Sequence, residues 1–163
     1  GALPGDASAV SGAGDWGAGV GDATVEVAEP NEAYTSRPVT SFRDLDVWTD
    51  GISLAEIVYQ ATRTFPSDER FGLTSQMRRA AVSVSSNIAE GWGRRSRADY
   101  LRFLHIARGS LFEVATQVEI ARRVGLLTPD LAEQIERQGT TCGRCLNRLI
   151  TSLRRPQSPP PSP

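Results

Sequence analysis

Lysine is absent from the 163-residue chain, so all 18 basic side chains are arginines. Cysteine occurs only twice, which excludes a scaffold built on several disulfide bonds. No apolar run approaches the roughly 18 residues that a membrane helix needs. The first residues also lack the basic start and apolar core of a signal peptide. The sequence therefore predicts a cytoplasmic protein without a membrane segment.

The formal net charge of −1 conceals an uneven distribution of charge along the chain. Residues 1–40 contain six acids and one arginine, which gives −5. Residues 41–93 contain seven acids and five arginines, which gives −2. Residues 94–163 contain six acids and twelve arginines, which gives +6. The excess of arginine therefore lies after residue 93.

Composition divides the chain into a central domain and two tails. Residues 1–40 contain seven of the fifteen glycines and no helical or strand periodicity, so we expect a disordered acidic tail. Residues 156–163 contain five prolines and cannot continue a helix, so we expect a proline-rich tail. Residues 41–155 are left as one expected domain.

The central domain has apolar residues at intervals of three and four, the period of an α-helix, over four stretches. No stretch alternates with period two for long enough to form a strand. We therefore predict an all-α fold, an antiparallel up-down-up-down four-helix bundle. We expect the first helix to start at Ser41, which forms a capping-box-like pattern with Asp44, and to stop at Phe65-Pro66. Thr74 should cap the second helix, which Gly91 and Gly93 end. Ser96 should open the third helix, which Gly125 closes, and Thr128 should be the N-cap of the fourth, with Pro129 at its first position.

Some segments of the central domain have residues that point to a particular protein family, which the helical periodicity alone does not. They include Phe42-Arg-Asp-Leu-Asp-Val-Trp48, Asn87-Ile-Ala-Glu-Gly91 and Gly109-Ser-Leu111. On these residues the chain resembles the four-helix bundle protein family, also called the 23S rRNA intervening-sequence protein family. The resemblance spans roughly residues 42–153. It implies a ring-like homo-oligomer, most often a pentamer, with no established enzymatic activity.

The resemblance also implies classes of partner. Some relatives are encoded inside inserted segments of ribosomal RNA genes, and a related group are accessory proteins of diversity-generating retroelements. These relatives connect the family with nucleic acid and with a reverse transcriptase. The expected partners are therefore copies of the chain itself, RNA or DNA, or a protein such as a reverse transcriptase.

Three residues of the sequence have side chains that could serve a catalytic or metal site. Cys142 and Cys145 form a C-x-x-C pattern, but they lie well inside the fourth helix and not at a helix N-terminus, where a thiolate is stabilised. His105, the single histidine, lies among apolar residues of the third helix. We interpret all three as structural residues and predict no enzyme, no metal and no cofactor. A thiol redox protein is the alternative.

Two polar residues, Asn87 and Glu90, lie beside the apolar stripe of the second helix. A catalytic or ligand-binding pair is one interpretation of them. Buried polar groups without partners cost about 1–3 kcal/mol each, so they need hydrogen bonds to neighbouring helices or subunits. We therefore favour Asn87, Glu90 and Gly91 as candidate oligomer-interface residues.

Arginine side chains are the strongest functional candidates. In an antiparallel bundle, the end of the second helix, the start of the third and the end of the fourth share one end. Guanidinium groups bind phosphates through paired hydrogen bonds and stack on unpaired bases, so arginines at that end predict RNA or DNA binding. Arg78 and Arg79 are further candidates. The predicted surface, called here the arginine rim, consists of Arg94, Arg95, Arg97, Arg154 and Arg155.

Two interpretations of these arginines stay open at the level of sequence. One is a nucleic-acid-binding ring. The other is a protein-interaction scaffold or accessory subunit, in which the arginines form salt bridges with other subunits or with a partner. The absence of lysine indicates a codon bias towards arginine, because selection for phosphate binding alone would not exclude lysine.

Overall fold

The structure, a computed structural model, describes residues 39–154. Within these residues there are four α-helices and no strand, which confirms the predicted all-α four-helix fold. None of the four is long and apolar enough to cross a membrane. The predicted tails and Arg155 lie outside the described residues, apart from Val39 and Thr40. The helices are α1 (Asp46–Ala61), α2 (Leu73–Trp92), α3 (Arg97–Arg123) and α4 (Pro129–Arg154).

The capping box predicted at Ser41 is present, but it starts a 3₁₀ turn (Phe42–Asp44) and not the first α-helix. The Asp44 carboxylate accepts a hydrogen bond from the backbone N–H of Ser41 at 2.8 Å. Leu45 is extended and α1 follows it. A second 3₁₀ turn (Thr62–Thr64) follows α1, so the first α-helix ends before the predicted Phe65-Pro66.

The prediction that Thr74 caps the second helix is wrong. Thr74 lies inside the first turn of α2, where its Oγ1 is buried and has no hydrogen-bond partner among residues 39–154. The cap comes instead from Glu69 in a 3₁₀ turn (Ser67–Arg70), whose Oε2 accepts from the N–H of Leu73 at 2.8 Å. A carboxylate folded back from the preceding turn therefore replaces the local hydroxyl.

The predicted caps of the last two helices are confirmed. The Ser96 hydroxyl accepts from the N–H of Asp99 at 3.0 Å at the start of α3. The Thr128 hydroxyl accepts from the N–H of Leu131 at 3.3 Å at the start of α4. Between them Gly125 has a φ of 77°, which glycine adopts without steric cost, and this allows the chain to turn after α3.

Each helix packs against the next along the chain, and α4 packs against α1 to close the bundle. Neighbouring helices run antiparallel, because later residues of one helix meet earlier residues of the next. Between α1 and α2, Gly51 meets Ser85, and Thr62, just after α1, meets Arg78. Between α2 and α3, Ser83 meets Ser110 and Gly91 meets Phe103. Between α1 and α4, Val47 meets Cys142 and Asp50 meets Gln138.

The core lies between the four helices, and each helix contributes large side chains to it. Burying such a side chain stabilises the fold by about 1.5–3 kcal/mol. The bundle therefore depends on matched apolar faces from all four elements. The fully buried members include Leu54 of α1, Met77 and Ile88 of α2, Leu104 and Leu111 of α3, and Ile135 and Leu146 of α4.

Two glycines were predicted to end the second helix. Gly93 does so as the C-cap of α2, whereas Gly91 lies inside the helix, which continues to Trp92. Instead, Gly91 is buried where α2 crosses α3. A Cβ at this position would lie 2.8 Å from Cδ2 of Tyr100 and 2.9 Å from Cβ of Phe103. The absence of a side chain at Gly91 is therefore what permits this close approach of the two helices.

Replacing Gly91 with alanine tests this contact. We expect Gly91→Ala to lower the free energy of unfolding by about 1–3 kcal/mol, because α2 and α3 must separate to admit the methyl group. Gly109→Ala is the matched control, since no atom lies within 4 Å of a Cβ placed there. Removing that helical glycine should stabilise the protein by up to about 1 kcal/mol. Urea unfolding measures both changes, and stabilisation by Gly91→Ala would contradict the close approach.

Candidate nucleic-acid interface

Four exposed arginines lie in the α2–α3 connection and the first turns of α3. Two acids, Glu90 and Asp99, lie in the same part of the chain. The excess of positive charge is therefore local to one end of the bundle. We call this group the α2–α3 cluster, and it consists of Arg94, Arg95, Arg97 and Arg102.

An aromatic ring holds two members of the cluster. The guanidinium carbon of Arg94 lies 4.6 Å from the centroid of Phe103, and that of Arg102 lies 5.0 Å from the same centroid. Arg94 also forms an ion pair with Glu90, one helical turn earlier. Phe103 itself is buried and cannot move away. Each cation–π contact contributes about 0.5–1 kcal/mol at an exposed site, so one ring holds both arginine side chains.

The other two members lie at the start of α3. Arg95 is exposed and forms no ion pair with an acid of residues 39–154. Arg97 is the first residue of α3, where the helix dipole adds positive potential. Asp99 has its carboxylate engaged by the Ser96 hydroxyl at 2.7 Å as part of the cap. The acid nearest in sequence therefore completes the helix start.

Two further aromatic residues, Trp92 and Tyr100, lie on either side of the α2–α3 connection. Trp92 and Tyr100 meet edge to face, with ring centroids 6.3 Å apart. Burial raises the pKa of Tyr100 to about 12, so its hydroxyl stays protonated at neutral pH. That hydroxyl has no hydrogen-bond partner within residues 39–154. Both rings are partly buried.

Arg154 is the last residue of α4, and its Nη2 lies 3.0 Å from Nε2 of His105. A guanidinium only donates, so this Nε2 accepts and the imidazole is neutral. Burial, then Arg108 and Arg154, hold the pKa of His105 below its usual value. His105 lies eight residues after Arg97, or about 12 Å along α3. Arg154 therefore lies on the α3–α4 side of the end that carries the cluster, and Arg155 lies outside the described residues.

Arg78 and Arg79 lie in the first half of α2, away from the cluster. The Nε of Arg78 donates to Oγ1 of Thr62 at 2.8 Å, and its guanidinium carbon lies 4.8 Å from the ring centroid of Tyr59. Arg78 therefore ties α2 to α1. It precedes Arg94 by sixteen residues, or about 24 Å of helix, so the structure does not bring it to the cluster.

The candidate oligomer residues on α2 have contacts inside the monomer. Nδ2 of Asn87 donates to the Ser83 carbonyl at 2.7 Å and to the Ser83 hydroxyl at 2.9 Å. Ser110 of α3 donates to that same hydroxyl at 2.9 Å. Glu90 belongs to the ion pair described above, and Gly91 is the packing glycine. A role for these three residues between subunits stays a prediction.

The environment of the C-x-x-C cysteines disfavours the thiolate form that a reactive cysteine needs. Burial raises the pKa of Cys142 to about 12, and its thiol donates weakly to the Val47 carbonyl at 3.8 Å. Burial, followed by Asp50, raises the pKa of Cys145 to about 11. Almost no thiolate exists at neutral pH, which favours the structural interpretation. Residues 39–154 also contain no group of three or more His, Cys, Asp or Glu placed to hold a metal ion.

A polar groove of about 550 Å³ lies between α2 and α3. It was not predicted from the sequence. Oε1 of Gln117 is buried at its edge without a hydrogen-bond partner in the described part of the chain. Arg79 of α2 and Glu113 of α3 both line it. Polar residues spaced three and four apart beside both core stripes are the signal that would have indicated this groove.

Comparison with known proteins identifies the family. The sequence profile of the 23S rRNA-intervening sequence protein family matches residues 43–148, which is more than half of the chain. The chain belongs to this family. The predicted resemblance is therefore confirmed. No curated protein matches the chain.

A solved structure similar to this 23S rRNA-intervening sequence protein comes from Bacteroides thetaiotaomicron and is described as a protein of unknown function from the S23 ribosomal protein family. The two chains share 25% sequence identity with a TM-score of 0.59, over 64% of this chain and 95% of the other. The whole α2–α3 cluster lies within residues 43–148, the segment that the family profile matches, whereas Arg154 lies beyond it. The cluster is therefore part of the family domain.

Proposed function

We propose that this 23S rRNA-intervening sequence protein is a non-enzymatic, homo-oligomeric bundle that binds RNA or DNA through the α2–α3 cluster. The observation that carries the proposal is the concentration of four exposed arginines between residues 94 and 102. Residues 90–102 hold these four arginines against two acids, Glu90, which pairs with Arg94, and Asp99, which belongs to the α3 cap. Their net charge of +2 favours a polyanion.

The chemistry of the cluster favours the nucleic-acid backbone over base sequence. Guanidinium groups pair with phosphate oxygens and release counterions, which makes binding strongly dependent on salt. Arg94 and Arg102 are already positioned on the Phe103 ring, so less side-chain freedom is lost when a phosphate binds. Their outer faces can stack on unpaired bases. Single-stranded segments are therefore the preferred ligand.

Assembly would multiply this weak site. A ring, which the family resemblance predicts to be a pentamer, presents one cluster per subunit, and a flexible strand can bind several at once. Ile106 and Ile120, on the outer face of α3, are 42% and 46% exposed. They are fourteen residues apart, so they lie on one side of the helix. We assign the contact between copies to this side of α3, which also carries Glu113 midway between the two isoleucines.

The second candidate function is a protein-interaction scaffold or accessory subunit without nucleic-acid binding. The same two exposed isoleucines favour it, because exposed apolar side chains can contact a foreign protein, such as a reverse transcriptase, as well as a second copy. In this case the arginines form salt bridges with the partner. The two functions differ in whether purified protein alone binds RNA.

Binding of a 20-nucleotide single-stranded RNA of mixed sequence, followed by fluorescence anisotropy, tests the first function. We expect Arg95→Ala with Arg102→Ala to weaken binding at least tenfold at low salt. The slope of log K against log salt should fall by about 1.4, since two phosphate contacts are lost. The matched control is Arg63→Ala with Arg70→Ala, which removes the same charge from the α1–α2 connection. Equal affinity of the two double variants would contradict the proposed site.

Light scattering of the purified protein tests the assembly. We expect Ile106→Asp with Ile120→Asp to reduce the molar mass to that of a 17.6 kDa monomer, because two carboxylates would be buried in the contact. Phe71→Asp is the control, since that ring is 87% exposed and belongs to the turn before α2, not to α3. A wild-type protein that is itself monomeric would contradict the assembly.

A further inference from the structure

The described chain begins at Val39, beside the end of the bundle that carries the α2–α3 cluster. The 3₁₀ turn Phe42–Asp44 packs against α2. The Phe42 ring also contacts Trp48 with 5.3 Å between centroids, which fixes the turn on the start of α1. Because α1 and α2 are antiparallel, the start of α1 lies beside the end of α2. The chain that precedes Val39 therefore joins the bundle next to the cluster.

That preceding segment carries the charge opposite to the cluster. Residues 1–38 contain six acids and one arginine, a net charge of −5. The three acids nearest to the bundle, Glu26, Glu29 and Glu32, recur every third residue. Glu32 is seven residues from Val39 and Glu26 is thirteen, so they reach at most about 25 and 45 Å from it. All three carboxylates are therefore within reach of the nearby arginines.

We propose that the acidic segment Glu26–Glu32 docks on the α2–α3 cluster of its own chain, with its carboxylates paired to Arg95 and Arg102. The segment occupies the surface that a nucleic acid requires, so it competes with RNA and lowers its affinity. This competition rests on the proposed function, whereas the docking itself does not. The negative segment acts as a phosphate mimic that is tethered to the site.

Tethering is what makes such weak pairs effective. An exposed carboxylate–arginine pair contributes only about 0.2–1 kcal/mol. A segment attached through a short connection is present at an effective concentration on the order of millimolar, however, which populates an association too weak to form between separate molecules. RNA with many phosphates can still displace it. The contact therefore lowers the affinity for RNA without abolishing RNA binding.

Neutralising the three carboxylates in the full chain tests the proposal. The variant carries Glu26→Gln, Glu29→Gln and Glu32→Gln. The control carries Glu56→Gln, Asp68→Asn and Asp130→Asn, which change the net charge equally at exposed positions of the bundle. The side-chain Nε–Hε resonances of Arg95 and Arg102 are recorded without RNA. Affinity for the single-stranded RNA 20-mer is then measured at low salt.

We expect the tail variant, and not the control, to shift both arginine resonances and to bind RNA about five- to tenfold more tightly than wild type. Unshifted resonances in the tail variant would overturn the docking, whatever the RNA result. Shifted resonances with no RNA binding by any of the three proteins would support docking and overturn the proposed function. Shifted resonances with equal RNA affinities would overturn the competition.

Discussion

At Gly91 the backbone of α2 lies directly against Tyr100 and Phe103, with no room for a methyl group between them. Because α2 ends one residue later, this contact fixes where the connection to α3 begins. It thereby positions Arg94, which lies over the ring of the same Phe103 that touches Gly91. Arg102 is held on that ring from the other helix. The packing of two helices and the placement of the charged surface are therefore one arrangement.

Helix number and most helix ends could be predicted because they depend on neighbours in sequence. Ser41, Ser96 and Thr128 each cap through a residue two or three positions away, so local pattern is sufficient. Thr74 has the same local pattern but does not cap, because α2 already begins at Leu73, where Glu69 of the preceding turn accepts from the backbone N–H. That outcome depends on a tertiary arrangement of the preceding turn, which periodicity does not contain.

The candidate site divides in the same way. The grouping of Arg94, Arg95 and Arg97 follows from helix order alone, since these residues lie in one connection. The engagement of Arg78 by Thr62 and Tyr59 depends on the register of α1 against α2, so the sequence did not reveal that it joins two helices. Membership of the 23S rRNA-intervening sequence protein family agrees with the fold and leaves the ligand to be established.

Hydrogen exchange of backbone amides with and without single-stranded RNA tests most directly whether the α2–α3 cluster is the binding surface. The arrangement at Phe103 predicts slower exchange at residues 93–102, where the connection and the first turns of α3 carry all four arginines. Exchange at residues 73–80, at the opposite end of α2, should not change. Protection confined to residues 73–80, or RNA binding that leaves residues 93–102 unprotected, would contradict the central claim.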